Sequence, residues 1–265
     1  NGPTILGVSE IENITVLQDL VRQPELKSRH YQIIHHDSPD RRGIDVAILY
    51  DPLNFKVLNV TYQKLYIDSY PTFRTRDQVC VTGMLAGDKI SVLINHWPSR
   101  LGGQEQSSYL REAIAALARH TIDSLLTDDP NQGIILMGDL NDDPKDKSVT
   151  EALGAKHAIK DCGPVDLYNP WWDTLYKVGQ GTLLYDGKWN LFDQIIFSSN
   201  LLNLDENNKQ YKELKYYRNE IYLRDFLMQN EGKGKGAPKR THASGVWQNG
   251  YSDHLPTQVF FRKDL

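Results

Sequence analysis

Apolar segments of strand length alternate with amphipathic segments along this chain, and this alternation constrains the fold more than any single residue does. Residues 107–126 repeat leucine, alanine and isoleucine at helical spacing, which predicts an amphipathic helix. A second helix is predicted at residues 14–22. Strands are predicted at residues 4–8, 44–50, 56–66, 78–85, 90–94, 134–137, 192–197 and 257–261.

Strands and helices mixed in this way favour one layered α/β domain over residues 1–265, a length that can bury a sizeable core. No linker rich in Pro, Gly or Ser occurs before residue 231. The basic segment EGKGKGAPKR at residues 231–240 is interpreted as a mobile surface loop, because a strand follows it.

The charge balance argues against tight, non-specific DNA binding. Lys and Arg number 30 against 34 Asp and Glu, for a net charge of −4, whereas proteins held to nucleic acid by phosphate neutralisation are usually basic. No apolar run approaches the roughly 20 residues of a membrane span. Cys80 and Cys162 are too few for a disulfide framework and lack metal-type spacing, although one bridge stays an alternative.

Polar residues that can do chemistry stand at the ends of several predicted strands. Any one of them has a simple explanation, since Asp and Asn commonly form turns after strands. Five strands that each end in an acid or an amide, two of them with a histidine, are much harder to explain by chance than one such strand. These residues are Glu10, Asn95, His96, Asp139, Asn141, Asp193, Asp253 and His254.

This set of residues favours a hard cation and phosphate chemistry. Carboxylate and amide oxygens suit Mg²⁺ or Mn²⁺, whereas the pairing of His or Cys that is typical of zinc sites does not occur. Hydrolysis of a phosphate ester requires up to ~20 kcal/mol of catalysis or more. A general base alone contributes roughly 10²–10⁴-fold, so we expect a metal to assist.

The motifs together resemble the endonuclease/exonuclease/phosphatase superfamily, which includes DNase I-like nucleases, apurinic endonucleases, inositol polyphosphate 5-phosphatases and neutral sphingomyelinases. The motifs are Ser9-Glu10, Asn95-His96, GDLN at residues 138–141, Asp193 within NLFDQIIF, and Ser252-Asp253-His254. NHWPSR and RRGIDVAILYDP resemble bacterial members of unknown substrate. The resemblance implies a DNase I-like four-layer α/β sandwich, with two packed mixed β-sheets flanked by helices.

The resemblance also implies a division of labour around the metal. Glu10 would be the main metal ligand, and Asp253 would share the metal directly or through water. Asp139 would orient or deprotonate the attacking water, and Asn141 would hold that water or the phosphate.

Two histidines would contact the scissile phosphate. The first, His254, would be held in its tautomer by Asp193, because a histidine that donates to phosphate needs an acid behind its other nitrogen. The second, His96, would be preceded by Asn95 as a further substrate contact. We therefore expect Asp193 within hydrogen-bond reach of His254, and the carboxylates of Glu10 and Asp253 near one common point.

Other polar residues keep two interpretations each. Arg76 and Arg100 could clamp a phosphate or be ordinary surface arginines. Asp45 could orient His96 or face solvent at a strand edge. Asp142 and Asp143, which follow the GDLN motif, are interpreted as turn and solvent residues. The aromatic residues between positions 168 and 189 could form a stacking wall for substrate or simply pack a hairpin.

The function that follows is Mg²⁺-dependent (or Mn²⁺-dependent) hydrolysis of a phosphomonoester or phosphodiester by a metal-activated water. The acidic balance slightly favours a small or lipid-linked phosphoester over duplex DNA. One alternative is an endonuclease or exonuclease acting on DNA or RNA, with residues 233–240 as a contact. Another is a catalytically inactive module that binds phosphoesters. The sequence leaves the oligomeric state open.

The beginning of the chain departs from the family pattern. Family members normally have an Asn-bearing strand and a helix before the Glu strand, whereas this chain starts almost at the Glu strand with Asn1-Gly2-Pro3. We expect a preceding segment to have been removed; the alternative is a chain that has lost an inner strand and with it full activity. The edge beside the Glu strand is then expected either to be covered by another chain or a terminal segment, or to be unusually open with weak metal occupancy. A secretory signal would explain the removal and would imply a secreted or periplasmic protein, but the choice of expressed boundaries would explain it equally.

Overall fold

The structure is a computed structural model that describes residues 2–204, 210–232 and 234–264. Its strands are β1 (Ile5–Ile11), β2 (Gln32–His35), β3 (Asp45–Tyr50), β4 (Phe55–Gln63), β5 (Gln78–Leu85), β6 (Asp88–His96), β7 (Gly133–Asp139), β8 (Ala155–Lys156), β9 (Leu167–Tyr168), β10 (Leu183–Tyr185), β11 (Lys188–Asn190), β12 (Asp193–Ser198), β13 (Lys215–Ile221), β14 (His242–Ala243), β15 (Val246–Trp247) and β16 (Thr257–Arg262). Its α-helices are α1 (Ile14–Val21), α2 (Pro24–Lys27), α3 (Gln104–Asp128) and α4 (Trp171–Tyr176). Among these residues, no helix is both long and apolar enough to cross a membrane.

Seven strands form the larger sheet, in the order β4-β5-β6-β7-β12-β9-β8. Strands β6 and β7 are parallel, and α3 connects them. The buried face of α3 packs on this sheet through Ile114, Ala118 and Ile122. Parallel neighbours place their carboxyl ends at the same edge of a sheet, so the polar residues that end β6 and β7 lie side by side.

A second β layer packs on the opposite face of the large sheet. It consists of the three-stranded sheet β1-β3-β2 and the pair β13-β16. The core between the layers includes Ile48 of β3, Ile94 of β6 and Phe197 of β12. On the outside of β3, Ala47 and Leu49 pack against Leu17 of α1. The layers are therefore helix, sheet, sheet and helix, which confirms the predicted DNase I-like α/β architecture.

The second layer is divided into two parts. In the described part of the chain, β1 pairs only with β3, and β16 pairs only with β13. Among these residues, the edge of β1 away from β3 therefore has no paired strand, and the expectation that a preceding segment belongs there stays a prediction. Unpaired N–H and C=O groups at such an edge can accept a further strand.

Most predicted elements are confirmed with shifted ends. The helix α3 begins three residues before the predicted position, and β4 ends at Gln63, three residues before the predicted Tyr66. The short strand β2 was not predicted, because four residues give too little periodicity. Cys80 and Cys162 are free thiols.

The aromatic residues of the segment 168–189 mostly pack the protein. Trp171 is fully buried, and Tyr168 contacts the Phe197 and Tyr216 rings. Trp172 stacks on the ring of His157. The packing interpretation of these side chains is therefore supported over a substrate wall.

Candidate active site

Three adjacent strands of the large sheet bring the catalytic candidates together. The parallel register of β6 and β7 places His96 beside Asp139. The antiparallel register of β12 and β7 places Asp193 beside Asp139 on its other side. Backbone pairing alone therefore juxtaposes three side chains that are far apart in sequence.

The GDLN segment is shaped by two unusual backbone positions. Gly138 has φ +141°, and a Cβ there would lie 1.8 Å from the backbone oxygen of Asn95, so only glycine fits. Asn141 has φ +50°, a left-handed conformation that Asn tolerates. Its N–H donates to Asp139 Oδ1 (2.9 Å), and its side-chain amide donates to the Trp97 carbonyl (2.9 Å). These bonds hold Asp139 and the Asn141 amide in fixed orientations.

The expected pairing behind His254 is confirmed. His254 Nδ1 lies 2.7 Å from Asp193 Oδ2, and about a quarter of the His254 side chain is exposed. Burial lowers the pKa of His254, but the opposing charge and hydrogen bond of Asp193 outweigh it and raise the pKa to about 10. His254 is therefore an imidazolium at neutral pH, with Nδ1–H donated to Asp193 and Nε2–H left for a ligand.

His96 has the opposite electrostatic character. It is almost fully buried, and burial, together with the positive charges of Arg76, Arg42 and His254, lowers its pKa well below the ordinary value. Its Nε2 lies 3.6 Å from Asp139 Oδ2, which is longer than a hydrogen bond. Its Nδ1 is buried without a hydrogen-bond partner among the described residues. The site thus combines one charged and one neutral histidine.

The carboxyl group of Asp139 is harder to ionise than that of an ordinary aspartate. Burial raises the pKa of its carboxyl group to about 7, and the neighbouring Asp193 carboxylate adds to the rise. The ligand atoms of Asp139, Asp193 and His254 all lie within 4.8 Å of one another. This close group of acids and imidazole is the electrostatic centre of the site.

The two predicted metal ligands lie on the second layer (Glu10) and in the loop that leads into it (Asp253), and each carboxylate binds an arginine. Glu10 Oε1 accepts from Arg42 (2.9 Å), and Asp253 Oδ2 accepts from Arg240 (3.0 Å). All four side chains are about half exposed. Neither Glu10 nor Asp253 belongs to a described cluster of three possible metal ligands, so their common point is not seen here and their metal roles stay predictions.

Glu10 is also in a strained backbone conformation. Its φ is +58°, and the register of β1 on β3 shifts between Val8 and Ile11. Such bulges occur next to active sites, where they redirect a side chain. Here the bulge lets the carboxylate leave the regular strand pattern and reach Arg42.

Asn95 and Arg76, which are predicted substrate contacts, form hydrogen bonds within the protein that support the strand ends. The Asn95 side chain is fully buried, and its Oδ1 accepts from Gln78 and from the indole of Trp97. All three guanidinium nitrogens of Arg76 are engaged, by the carbonyls of His96 and Trp97 and by the carboxylate of Asp40. Their substrate roles stay predictions, and in this arrangement both residues position the backbone around His96.

Arg100 lies against the loop that follows Asp139. Its Nε donates to the Asn141 carbonyl (2.8 Å), and its Nη2 donates to Asp146 (2.8 Å). Its guanidinium also stacks over the Phe192 ring. A substrate contact of Arg100 stays a prediction, while its contacts here fix the loop.

The interpretation of Asp142 and Asp143 as solvent residues is wrong. Both are buried. Asp142 Oδ1 lies 2.7 Å from Nε of the fully buried Arg111 on α3, and Asp143 accepts from the backbone N–H of Leu191 (2.7 Å). The reason is that α3 places a cation directly behind the loop, which single-sequence reasoning could not detect.

Both interpretations of Asp45 are also wrong. Asp45 is buried, and its carboxylate accepts from the Ser38 N–H and hydroxyl and contacts His35 Nε2 at 3.0 Å. It does not orient His96, because β2 supplies a different histidine. With Asp37 these residues form a second group of potential ligands, but internal hydrogen bonds already satisfy the Asp45 oxygens.

Comparison with known proteins identifies the family. A sequence model of the Endonuclease/Exonuclease/phosphatase family matches residues 1–263. The chain belongs to this family. No curated protein sequence matches it.

Solved structures of the endonuclease/exonuclease/phosphatase fold resemble the whole chain at low sequence identity. They include a mannosyl-6-phosphatase of Bacteroides thetaiotaomicron (TM-score 0.60, 18% identity, 98% of this chain and 85% of that one). D. rerio TDP2 in complex with a single-strand DNA product has a TM-score of 0.60 at 15% identity, covering 98% and 86%. ANGEL2, a 2′,3′-cyclic phosphatase, has a TM-score of 0.65 at 15% identity, covering 99% and 82%.

The residues of the site fit a hard cation. Asp139 is a buried carboxylate whose pKa is raised by burial and by the neighbouring Asp193 charge, and it belongs with Asp193 and His254 to a group whose potential ligand atoms lie within 4.8 Å of one another. Such carboxylates are ligands of Mg²⁺ and Mn²⁺. To hold a cation as well, Glu10 and Asp253 would have to release Arg42 and Arg240.

Proposed function

We propose that this chain is a Mg²⁺-dependent (or Mn²⁺-dependent) hydrolase of phosphoesters. The observation that carries the proposal is the Asp193–His254 pair at 2.7 Å, placed within 4.8 Å of the Asp139 carboxylate. A phosphate ester needs a donor for its oxygens and an acceptor for the proton of the attacking water. The Asp193–His254 pair supplies the donor, and Asp139 supplies the acceptor.

Each residue has a role that its protonation supports. The His254 imidazolium donates Nε2–H to a phosphoryl oxygen while Asp193 holds its Nδ1–H. Asp139, with a carboxyl pKa raised to about 7, is close to the value that suits a general base at neutral pH. The neutral His96 and the amide of Asn141 position the phosphate and the water.

A bound Mg²⁺ would neutralise phosphoryl oxygens and lower the pKa of the attacking water. Glu10 and Asp253 would hold it, which leaves Asp139 to accept the proton of the attacking water and Asp193 to hold His254. The arginines at its rim, Arg42 and Arg240, are then free to bind the substrate's remaining negative charge.

A small phosphoester is the favoured substrate. The net charge of −4 disfavours broad contact with duplex DNA. A mannosyl-6-phosphatase and a 2′,3′-cyclic phosphatase are among the proteins of similar fold. In the described part of the segment proposed to contact DNA, Arg240 is occupied by Asp253, and Lys233 lies outside the described residues.

An activity panel with Mg²⁺, Mn²⁺ or EDTA tests this proposal. The substrates are bis(p-nitrophenyl) phosphate, hexose phosphates, inositol phosphates, sphingomyelin and plasmid DNA. We expect the wild type to hydrolyse a small phosphoester in a metal-dependent way, and we expect His254→Gln to lose this activity. Preferential cleavage of DNA, with steep salt dependence, would favour the nuclease alternative. Binding of phosphoesters without turnover in any metal would favour the inactive module.

A further inference from the structure

A cavity lined by residues between positions 225 and 251 contains exposed polar side chains that no other described protein group engages. Its volume is about 470 Å³, within the range of small-ligand sites. The side chains of Asp225, Asn230, Glu231 and Asn249 line it and make no hydrogen bond or ion pair with the described residues. Polar groups converging on a cavity without partners are available to a ligand.

Two aromatic rings form the apolar part of this cavity. Phe226 and Tyr251 are 55% and 61% exposed, and their rings meet edge to face with centroids 5.5 Å apart. Exposure of two adjacent rings is costly in water, and edge-to-face packing leaves a ring face open for a ligand. The cavity therefore offers both stacking and hydrogen bonding.

The cavity lining and the catalytic residues are neighbours along the chain. Tyr251 precedes His254 by three residues, so their Cα atoms are at most about 11 Å apart. On the other wall, Lys239 precedes Arg240, which binds Asp253 at 3.0 Å. The N–H of Tyr251 donates to the Lys239 carbonyl (2.8 Å) and joins the two walls.

The charges of the lining select a neutral, hydroxyl-rich group. Among the described lining residues, Asp225 and Glu231 are carboxylates and accept hydrogen bonds only, and one residue, Lys239, is a cation. A second phosphate would be repelled there. A sugar ring donates vicinal hydroxyls to carboxylate and amide oxygens and stacks its C–H face on an aromatic ring.

We propose that this cavity binds the sugar moiety of a sugar phosphate while the phosphate lies at His254 and Asp139. The assignment names the substrate class of the site and rests on the proposed phosphoester hydrolysis. It also predicts a measurable affinity for a sugar without any phosphate, which does not depend on catalysis.

The experiment uses Tyr251→Ala, Phe226→Ala and Asp225→Asn, with Tyr217→Ala as a control. Tyr217 is equally exposed (62%) but lies on β13, outside the cavity. Hydrolysis is compared between a series of hexose 6-phosphates and ethyl phosphate, which has neither ring nor hydroxyls. Binding of methyl hexopyranosides is measured separately by saturation-transfer NMR.

We expect kcat/KM to be higher for at least one hexose 6-phosphate than for ethyl phosphate. Each of the three cavity variants should lower the ratio of these two kcat/KM values about tenfold. Tyr217→Ala should keep the wild-type ratio. A methyl hexopyranoside should bind the wild type and lose its signal in Tyr251→Ala.

Other outcomes separate the two proposals. Sugar binding that depends on Tyr251, without hydrolysis of any phosphoester, would support the cavity and refute the hydrolase. A ratio unaffected by the cavity variants, with no glycoside binding, would overturn the sugar assignment while leaving hydrolysis intact. Competition by nucleosides in place of glycosides would make the cavity a base site and equally overturn it.

Discussion

The carboxylates on the large sheet and those on the second layer are held in different ways. Asp139 and Asp193 lie on paired strands, and their neighbours are buried backbone groups and His254. Glu10 and Asp253 lie on loops or bulges and bind half-exposed arginines. The first pair is fixed by the fold itself. The second pair is held by surface ion pairs, which contribute only about 0–1 kcal/mol and can rearrange when a cation binds.

The largest effect on turnover is expected for Asp193, one of the two carboxylates held by the large sheet. Asp193→Asn removes the acidic partner of His254, so turnover should fall on the order of 10²–10⁴-fold. The pKa of His254 should fall from about 10 towards its ordinary value. Steady-state kinetics and an NMR titration of His254 measure the two changes.

Asp173→Asn is the matched control for that variant, because Asp173 of α4 forms an exposed ion pair with Lys177, the residue that follows the helix. It should leave both measurements as in the wild type. Wild-type turnover in Asp193→Asn itself would mean that Asp193 has only a structural role.

The next largest effect is expected on stability, from loss of the buried ion pair that supports the GDLN loop. Arg111→Met removes the buried partner of Asp142 and leaves a carboxylate desolvated without its closest cation. We expect the free energy of unfolding to fall by about 3–5 kcal/mol, as measured by urea denaturation.

Arg119→Met provides the comparison on the same helix. Arg119 pairs with Asp123 at the surface, so its loss should cost about 0–1 kcal/mol. Equal costs in the two variants would refute the buried role of the Arg111–Asp142 pair.

The raised pKa of Asp139 predicts a pH-dependent stability. The folded chain binds its proton more tightly than the unfolded chain, so this contribution is complete below pH ~4. It is lost as the pH rises through about 7. Asp139→Asn should therefore be more stable than the wild type at pH 8, on the order of 2 kcal/mol.

Thermal unfolding at pH 4 and pH 8, in EDTA, measures that difference. The advantage of Asp139→Asn should shrink at pH 4, and Mg²⁺ should reduce it at pH 8 by stabilising the wild-type carboxylate. An advantage that is the same at both pH values would show that Asp139 titrates normally.

The smallest effect on stability is expected at the exposed arginines. Arg42→Gln and Arg240→Gln should each change the free energy of unfolding by less than about 1 kcal/mol. They should tighten Mg²⁺ binding severalfold in calorimetry, because Glu10 and Asp253 lose a competing cation. Weaker Mg²⁺ binding in both variants would refute the idea that arginine and metal compete.

Much of the architecture was predictable from local patterns. The 3.6-residue period of α3 and the apolar runs of β3, β5, β6 and β7 depend only on side-chain order along the chain. The strand β2 was not predicted because it is short. The division of the second layer into two separate sheets was not predictable either, because it depends on which strands pair. Pairing of strands depends on residues far apart in sequence.

The sequence by itself determined which residues end the strands, and so which chemistry the site can hold, because those residues follow directly from strand periodicity. The Asp193–His254 contact was implied by the family resemblance, and it agrees with the need of a phosphate-binding histidine for an acidic partner. Tertiary structure alone decided the partners of charged side chains. Arg111 behind Asp142, Arg42 on Glu10 and His35 on Asp45 pair across separate elements. Coulomb interactions and desolvation depend on distance and burial in space, and neither can be read from the spacing of residues along a chain.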